Sequence, residues 1–593
     1  MLSVTISIPR GDATPETATP PYVHETTRNG VHIRATVKPQ YSFYAEFGDI
    51  IVVGESMIRM TSSRLAHLEQ LVSKSFTCES SGDDLLLGLV IIDTLHKEVT
   101  ITNDRTGDRP FFFRVQPESI SISTLITDLR TATTPFAVDE SRIPELFVYR
   151  IVLPPSTLIK GVRRIMSGQT LSFDLLSGSQ IREDYAPFPE ATEDSGQEIS
   201  SYVESIDHSL TSAMKDILLS YKRPMVLLSG GNDSSLLACI AHRVDPRVRS
   251  CSTSFSFVDR EELEEEYAQT AADAIGIHHS IYRPTAEDYL AGVIESIAAA
   301  EEPVNHLQSV LLYLISKNFA SQQADVLLNG NLADAMFGAD VQLACWKHRR
   351  AIAFLRTLGI SALLRKLYRL SGLRDRRLHF LSADFQQKAT SSRHLLWGIG
   401  SYGDITLVKQ LFGGTDESIL GPRIAMMAHY ERHSLSDKVT ILGILSLTPI
   451  WSRMAESGGN ANAFPFATGR VINTVMPIPW KTKVSEPKRI VRDLLRRYQF
   501  PEPLITRPKQ SFGLPFKFWS LPNTLFQPLV DMAADTYDRA LLSRLQSGEP
   551  RHAMILWSML NFHLWKQIVI DQKNPKDLAA EAISRYRTLP RPR

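Results

Sequence analysis

Only four cysteines occur in the 593 residues, Cys78, Cys239, Cys251 and Cys345. None forms a C-x-x-C pair or stands at zinc spacing from a histidine, which excludes a disulfide scaffold and a cysteine-based zinc module. Cys239 and Cys251 lie in apolar segments and read as buried, inert thiols, a usage that fits a reducing cytoplasm. Excess charge is missing too: 65 basic residues stand against 64 acidic ones, a net charge of +1. Chains that bind nucleic acid carry a clear basic excess, so no nucleic-acid partner is expected. No run of roughly 18 apolar residues is present, and the best stretch, Val439 to Trp451, is too short and too polar for a membrane span. The opening Met1-Leu2-Ser3-Val4 lacks the basic start and apolar core of a secretion signal. There is no internal repeat.

What is present is ordinary for a globular protein, with 43% hydrophobic and 22% charged residues. The length exceeds one hydrophobic core, so two or more domains are expected. Residues 1–30, with Pro9, Pro15, Pro20 and Pro21 among polar neighbours, read as a loose N-terminal extension. From 31 to 190 short β-like runs separated by turns predict a β-rich domain: His32–Val37, Ile50–Val53, Leu85–Ile92, Glu98–Thr102, Pro110–Val115 and Thr170–Phe173. Tyr185 to Ser200 reads as a linker. Over 191–575 the pattern changes to apolar strands alternating with helical segments. Pro224–Leu228, Val248–Phe257, His279–Tyr282 and Ala324–Leu328 are the strands; Arg260–Ile275 is a helix with Leu263, Tyr267, Ala271 and Ile275 on one stripe. That alternation predicts a parallel sheet covered on both faces. Residues 341–450 read as helical and Leu/Arg-rich, a candidate substrate or partner region, and 576–593 as a basic, mobile tail.

The chemistry concentrates in Val226-Leu227-Leu228-Ser229-Gly230-Gly231-Asn232-Asp233-Ser234-Ser235. An apolar strand ends in a small-residue turn and a helix begins at once. The first amides of a helix have no partners within it, and glycines let a ligand approach them, so this is an anion cradle to which Ser229, Ser234 and Ser235 add hydroxyls. The G-K-[ST] ending of a Walker loop is absent, and no lysine stands here to stabilise a γ-phosphate in transfer. A cradle of Ser and Gly suits pyrophosphate as the group held and released. Asp233 would repel phosphate unless a cation bridged them, which points to magnesium. A second acidic loop, Asn329-Gly330-Asn331-Leu332-Ala333-Asp334, follows the strand Ala324–Leu328. Loops at the carboxyl ends of parallel strands are where such sheets bind ligands, so Asp233 and Asp334 are expected to face one another across ATP. His278-His279 reads as the end of a strand rather than a metal site, since no third ligand is near.

These residues resemble the asparagine synthetase class of N-type ATP pyrophosphatases. Ser229-Gly230-Gly231-x-Asp233-Ser234-Ser235 resembles its pyrophosphate loop, and Asp334…Phe337-Gly338 its Ser-Asp-Glu-x-Phe-Gly-Gly segment. Glu266-Tyr267-Ala268 to Gly276 with His278-His279, Arg453-Met454 with Pro465-Phe466, and Arg507-Pro508-Lys509-Gln510-Ser511-Phe512-Gly513 follow in family order. Upstream, Asn103 to Pro110 and Thr157 to Arg164 are similar to turns and strands of the family's glutamine amidotransferase domain. The resemblance implies an α/β protein: a class II amidotransferase-like β-rich domain, then a parallel-sheet domain of the adenine nucleotide α-hydrolase-like type with helical additions. It implies an AMP-forming carbon–nitrogen ligase with ATP and Mg2+ as cofactors. Ser229, Gly230, Gly231, Ser234 and Ser235 would hold the pyrophosphate and Asp233 and Asp334 the metal. Gly330 would admit the ribose or α-phosphate, and Lys509 would stabilise charge on the α-phosphate and the acyl transition state. Lys488, with Arg492 four residues on, reads either as a phosphate ligand or as part of an exposed basic face. Lys347 to Arg377 reads as a leader-peptide grip or, preferably, as the charged outer face of a helix pair.

The sequence also departs from the family. Glutaminase activity needs an N-terminal cysteine nucleophile; position 2 is Leu and no cysteine precedes Cys78. Asn331 stands where asparagine synthetases carry Glu and β-lactam synthetases Tyr, and Ala335, Ala461 and Ala463 replace further polar residues. These losses argue against ammonia and a free amino acid as substrates. Lasso-peptide macrolactam cyclases resemble this remnant best, implying a precursor peptide as substrate and a leader-binding protein and leader protease as partners. A β-lactam-synthetase-like enzyme acting on a small molecule, and a non-catalytic scaffold, are the other readings.

Overall fold

A computed structural model describes residues 2–8, 23–37, 42–56, 60–72, 86–131, 135–193, 196–254, 262–304, 306–320, 323–338, 346, 405–486, 488–507 and 516–590. The first part is a sandwich of two antiparallel sheets. One has the order β10-β8-β9-β1-β3-β2, built from β1 (Leu2–Ser7), β2 (Val23–Arg28), β3 (Val31–Val37), β8 (Phe112–Gln116), β9 (Ser119–Ser123) and β10 (Arg163–Arg164). The other, β12-β11-β7-β6-β5-β4, comprises β4 (Ser42–Phe47), β5 (Ile50–Ser56), β6 (Leu86–Asp93), β7 (Glu98–Asn103), β11 (Gln169–Asp174) and β12 (Gln180–Tyr185). Inward residues of both sheets, among them Val4, Ile33, Val53, Ile92, Ile101, Phe113 and Leu171, share one core, as expected where alternate side chains of facing strands interdigitate.

The expected loose extension over 1–30 is corrected at both ends. Leu2, Val4 and Ile6 alternate with polar residues and are fully buried, and β1 pairs with β3 on one side and β9 on the other. That period-2 pattern outweighs the nearby prolines. The segment between β12 and the next helix is irregular but anchored: Ala186 and Phe188 are buried, and Thr192 N donates to the Pro477 carbonyl at 2.8 Å.

The second part is a five-stranded parallel sheet of order β15-β14-β13-β16-β17, made of β13 (Pro224–Leu227), β14 (Arg249–Thr253), β15 (His279–Tyr282), β16 (Val326–Leu328) and β17 (Ala461–Ala463). Its faces are covered by separate cores. Met225, Cys251 and Leu327 point into one, while Val226, Val326, Leu328, Ala461 and Ala463 point into the other. Crossover helices include α1 (Asn232–Val244), α2 (Glu262–Ile275), α3 (Ala286–Ala300) and α4 (Leu307–Phe319). The expected strand Val248–Phe257 is shorter, and His279 lies in β15 with Ser250 Oγ 2.9 Å and Ser252 Oγ 3.0 Å from its ring nitrogens. Burial pushes the imidazole pKa down to about 4, so it stands neutral among hydroxyls.

The described residues of 341–450 are largely helical, in Ile405–Phe412, Asp416–Ala428 and the start of Leu435–Ser457; the basic stretch Lys347 to Arg377 lies outside the described residues. The expected mobile tail at 576–593 is also corrected. Pro575–Arg587 is a helix capped by Asn574, whose side chain accepts from Lys576 N. It packs on α3 with Leu578, Ala579 and Ala582 buried, and Arg587 pairs with Glu287 at 2.7 Å. Among the described residues no helix is long and apolar enough to cross a membrane.

The two parts meet through a buried polar seam. Arg109 pairs with Glu55 Oε2 at 3.0 Å within the sandwich and with Glu456 across the seam. Asp108 accepts a hydrogen bond from Ser452, and Arg105 donates to Asn473 at 2.6 Å. Glu302 receives both Arg164, at 3.1 Å, and Arg453, at 3.3 Å.

Candidate active site

The strand order reverses between β13 and β16, and parallel sheets bind ligands in the crevice at the carboxyl ends of such strands. Met225 pairs with Leu327 in parallel register, so the loops after both strands leave at the same end. The first runs Leu228 to Gly231 into α1. Leu228, at the strand end, is buried while Ser229 is exposed. Gly230 has φ +68°, and a Cβ there would lie 2.5 Å from the Tyr267 carbonyl oxygen in α2; glycine is required by conformation and by space. Ser234 Oγ shapes the turn: it accepts from Ser229 N at 3.1 Å and reaches the Gly231 carbonyl at 3.1 Å.

The second loop places α5 (Ala333–Phe337) beside α1. Asn329 Oδ1 accepts from Asn331 N at 3.0 Å, and Leu332 takes a left-handed conformation, φ 74°, to start the short helix. Gly330 lies against the first turn of α1; a Cβ there would sit 3.4 Å from Ser234 N, ordinary contact, so close packing on α1 explains this position without a steric demand for glycine. Asp233 and Asp334 each occupy the first turn of their helix, where the dipole favours a carboxylate.

Both aspartates meet one cation. Lys488 Nζ is ion-paired with Asp233 and lies 2.5 Å from Asp334 Oδ1. Lys488 precedes the helix α6 (Arg489–Arg497), which packs against both α1 and α5, and its own backbone is left-handed with φ 53°. Burial alone would lower its pKa, but the two carboxylates overcome this and hold it raised, as a firm ammonium. The Lys488 side chain is 12% exposed and paired with carboxylates, so it is not part of an exposed basic face.

The crevice therefore gathers Ser229, Gly230, Gly231, Asp233, Ser234, Gly330, Asp334 and Lys488. Ser235, in the first turn of α1, is fully buried. Lys509 lies outside the described residues. Two contacts reach toward its segment, neither foreseen from sequence. Asn232 Nδ2 donates to the Ile505 carbonyl at 3.0 Å, and the Arg507 guanidinium lies 4.0 Å from the Tyr267 ring centroid. Tyr267 and Arg507 sit within motifs recognised above, but their stacking joins residues 240 positions apart and leaves no local signal.

Comparison with known proteins agrees with this geometry. The family model described as asparagine synthase matches residues 205–567, and that described as a glutamine amidotransferase domain matches 85–185. The chain belongs to the asparagine synthase family. It is similar to a putative glutamine-hydrolysing asparagine synthetase of Mycobacterium tuberculosis, 24% identical over 82% of this chain and 77% of that one. It is also similar to glutamine-hydrolysing asparagine synthetase 1 of Bacillus subtilis, 20% identical over 80% of this chain and 76% of that one. Among solved structures, a glutamine-dependent NAD+ synthetase of Acinetobacter baumannii with bound ADP matches at 13% identity and TM-score 0.17, over 69% of this chain and 59% of that one, too low to add to the argument. The enzyme is thus an ATP-dependent, amide-bond-forming ligase.

Proposed function

We propose that this ligase closes a macrolactam in a ribosomally made, lasso-type precursor peptide. The side-chain carboxylate of an Asp or Glu attacks the α-phosphorus of ATP and pyrophosphate leaves. The peptide's own N-terminal amine then attacks the acyl carbon, loses a proton, and AMP departs. The observation that carries the reading is Leu2. It lies at the head of β1, fully buried, where the family's glutaminase chemistry calls for a thiolate, while the nucleotide crevice keeps its loop and both aspartates. With Leu rather than cysteine at this position, an amine carried by the substrate itself supplies the nucleophile in this reading.

Ser229, the Gly230 and Gly231 backbone and Ser234 would cradle the pyrophosphate at the positive end of α1. Magnesium fits the donor set, because two carboxylates converge where a cation already sits and hard oxygen ligands suit that ion. Asp233 and Asp334 would hold it, and it would neutralise phosphate charge as pyrophosphate departs. Among the described residues no group of three or more His, Cys, Asp or Glu gathers for a metal, so phosphate and water would complete its shell. Lys509 would stabilise charge on the α-phosphate. Holding amine and acyl carbon in line is itself a large share of such catalysis. A cytoplasmic location, a leader-binding protein and a leader protease belong to the same reading.

The test is to mix the protein with ATP, magnesium and a leader-processed candidate peptide, then follow AMP, pyrophosphate and peptide mass. Loss of one water tied to AMP release, and abolished by Asp233→Ala, is the expected result. AMP formed only with a small β-amino acid would replace the peptide reading by a lactam synthetase. No AMP with any carboxylate, from a protein that binds ATP, would leave a scaffold.

A further inference from the structure

Two carboxylates from helix starts about a hundred residues apart, Asp233 and Asp334, converge on the ammonium of Lys488. Two like charges brought together at a crevice repel unless a cation lies between them. The chain supplies that cation itself, and it does so by construction. The helix α6 packs on both aspartate-bearing helices, and the left-handed backbone at Lys488 turns the chain immediately before that helix. A lysine is suited to such a post: it is a compact point charge on a flexible stem, able to exchange one anionic partner for another, which a guanidinium fork does less readily. The crevice is also asymmetric. The Asp334 side chain is 48% exposed against 20% for Asp233, so an arriving ligand meets Asp334 first.

We propose that Lys488 is the resident counter-cation of the crevice, which keeps divalent metal out until nucleotide arrives, so that metal and nucleotide enter together. The inference rests on the ATP-ligase reading. A dication and an ammonium cannot share the same carboxylate oxygens at contact distance. Metal alone must expel the lysine from both carboxylates with which it pairs. Nucleotide changes this, because its phosphates offer the ammonium new acceptors while the metal takes the aspartates. The aspartates are thereby held in a binding-ready spacing without a permanently bound metal.

The experiment titrates Mn2+ into the full chain without nucleotide and reads free Mn2+ by electron paramagnetic resonance, for wild type, Lys488→Met and Lys488→Gln. Both variants should bind one Mn2+ at least fivefold more tightly than wild type, and Asp233→Asn should abolish the gain in a double variant. Wild type should acquire a comparable site only when a non-hydrolysable ATP analogue is added. Equal or weaker Mn2+ binding by both folded variants, checked by their melting curves, overturns the proposal. Wild type that binds Mn2+ equally well with and without the analogue overturns it too. Failure of wild type to bind the analogue at all would count against the ligase reading, while the nucleotide-free comparison would still decide the role of Lys488.

Discussion

Arg507 lies over the face of Tyr267, its guanidinium carbon 4.0 Å from the ring centroid, and the backbone of the same tyrosine closes on Gly230. One residue of α2 therefore touches the Ser229–Gly231 loop and the segment that leads to Lys509. A cation–π contact of this kind contributes about 0.5–2 kcal/mol. Tyr267→Leu keeps an apolar body in place but removes the stacking face. Turnover should fall about 2- to 30-fold, with KM for ATP changing less than kcat because the loop backbone is untouched. Steady-state pyrophosphate release measures both.

The seam between the two parts of the chain depends on Arg109, which is 3% exposed and faces Glu55, Asp108 and Glu456. Removing one partner of a buried ion pair costs about 3–5 kcal/mol because the remaining charge is left uncompensated. Arg109→Met should destabilise the chain by that order, read as a lower urea midpoint. Adding Glu456→Gln should recover part of the loss, since one stranded carboxylate is then neutral. Additive effects in this double-mutant cycle would show that the pair is not coupled.

Lys483 is fully buried, donates to the Met476 carbonyl at 2.9 Å and lies 4.5 Å from the Trp480 ring centroid. Burial pulls its pKa down to about 7, with Asp437 opposing. Between about 7 and the ordinary lysine value the unfolded chain binds the extra proton, so stability rises with pH in that window and is lost as pH falls through it. Relative to Lys483→Met, wild type should gain stability from pH 7 to pH 10, by at most about 1.4 kcal/mol per unit. Melting curves of the two proteins at matched pH check this, and parallel curves would refute it.

Much of this was legible in the sequence, for physical reasons. The run Pro224–Leu227 followed by Gly230-Gly231 and an Asp/Ser helix start marks strand, turn and cradle by local chemistry alone. Asp334 followed from position after a second strand. What escaped was of two kinds. Alternation in Leu2, Val4 and Ile6 was masked by prolines a few residues on. The Asn574 cap, Pro575 and the stripe Leu578, Ala579, Ala582 were masked by basic neighbours. In both, compositional reading overrode periodicity. The remainder was long-range. Nothing near Lys488 announces that it pairs with Asp233, and nothing near Ser235 announces that it is fully buried. These facts arise only when α6 docks on α1 and α5.

The first strand has a consequence for the order in which the chain acquires its shape. β1 lies at the middle of its sheet, with β3 on one flank and β9 on the other. Its first neighbour leaves the ribosome soon after it, but the second follows only when residues 119–123 have been made. Until then one edge of an apolar strand waits unpaired, and closing such distant contacts is slow. β1 is thus enclosed only after β9 has been made, and nascent chains halted before β9 should be captured by holdases in preference to those halted after it.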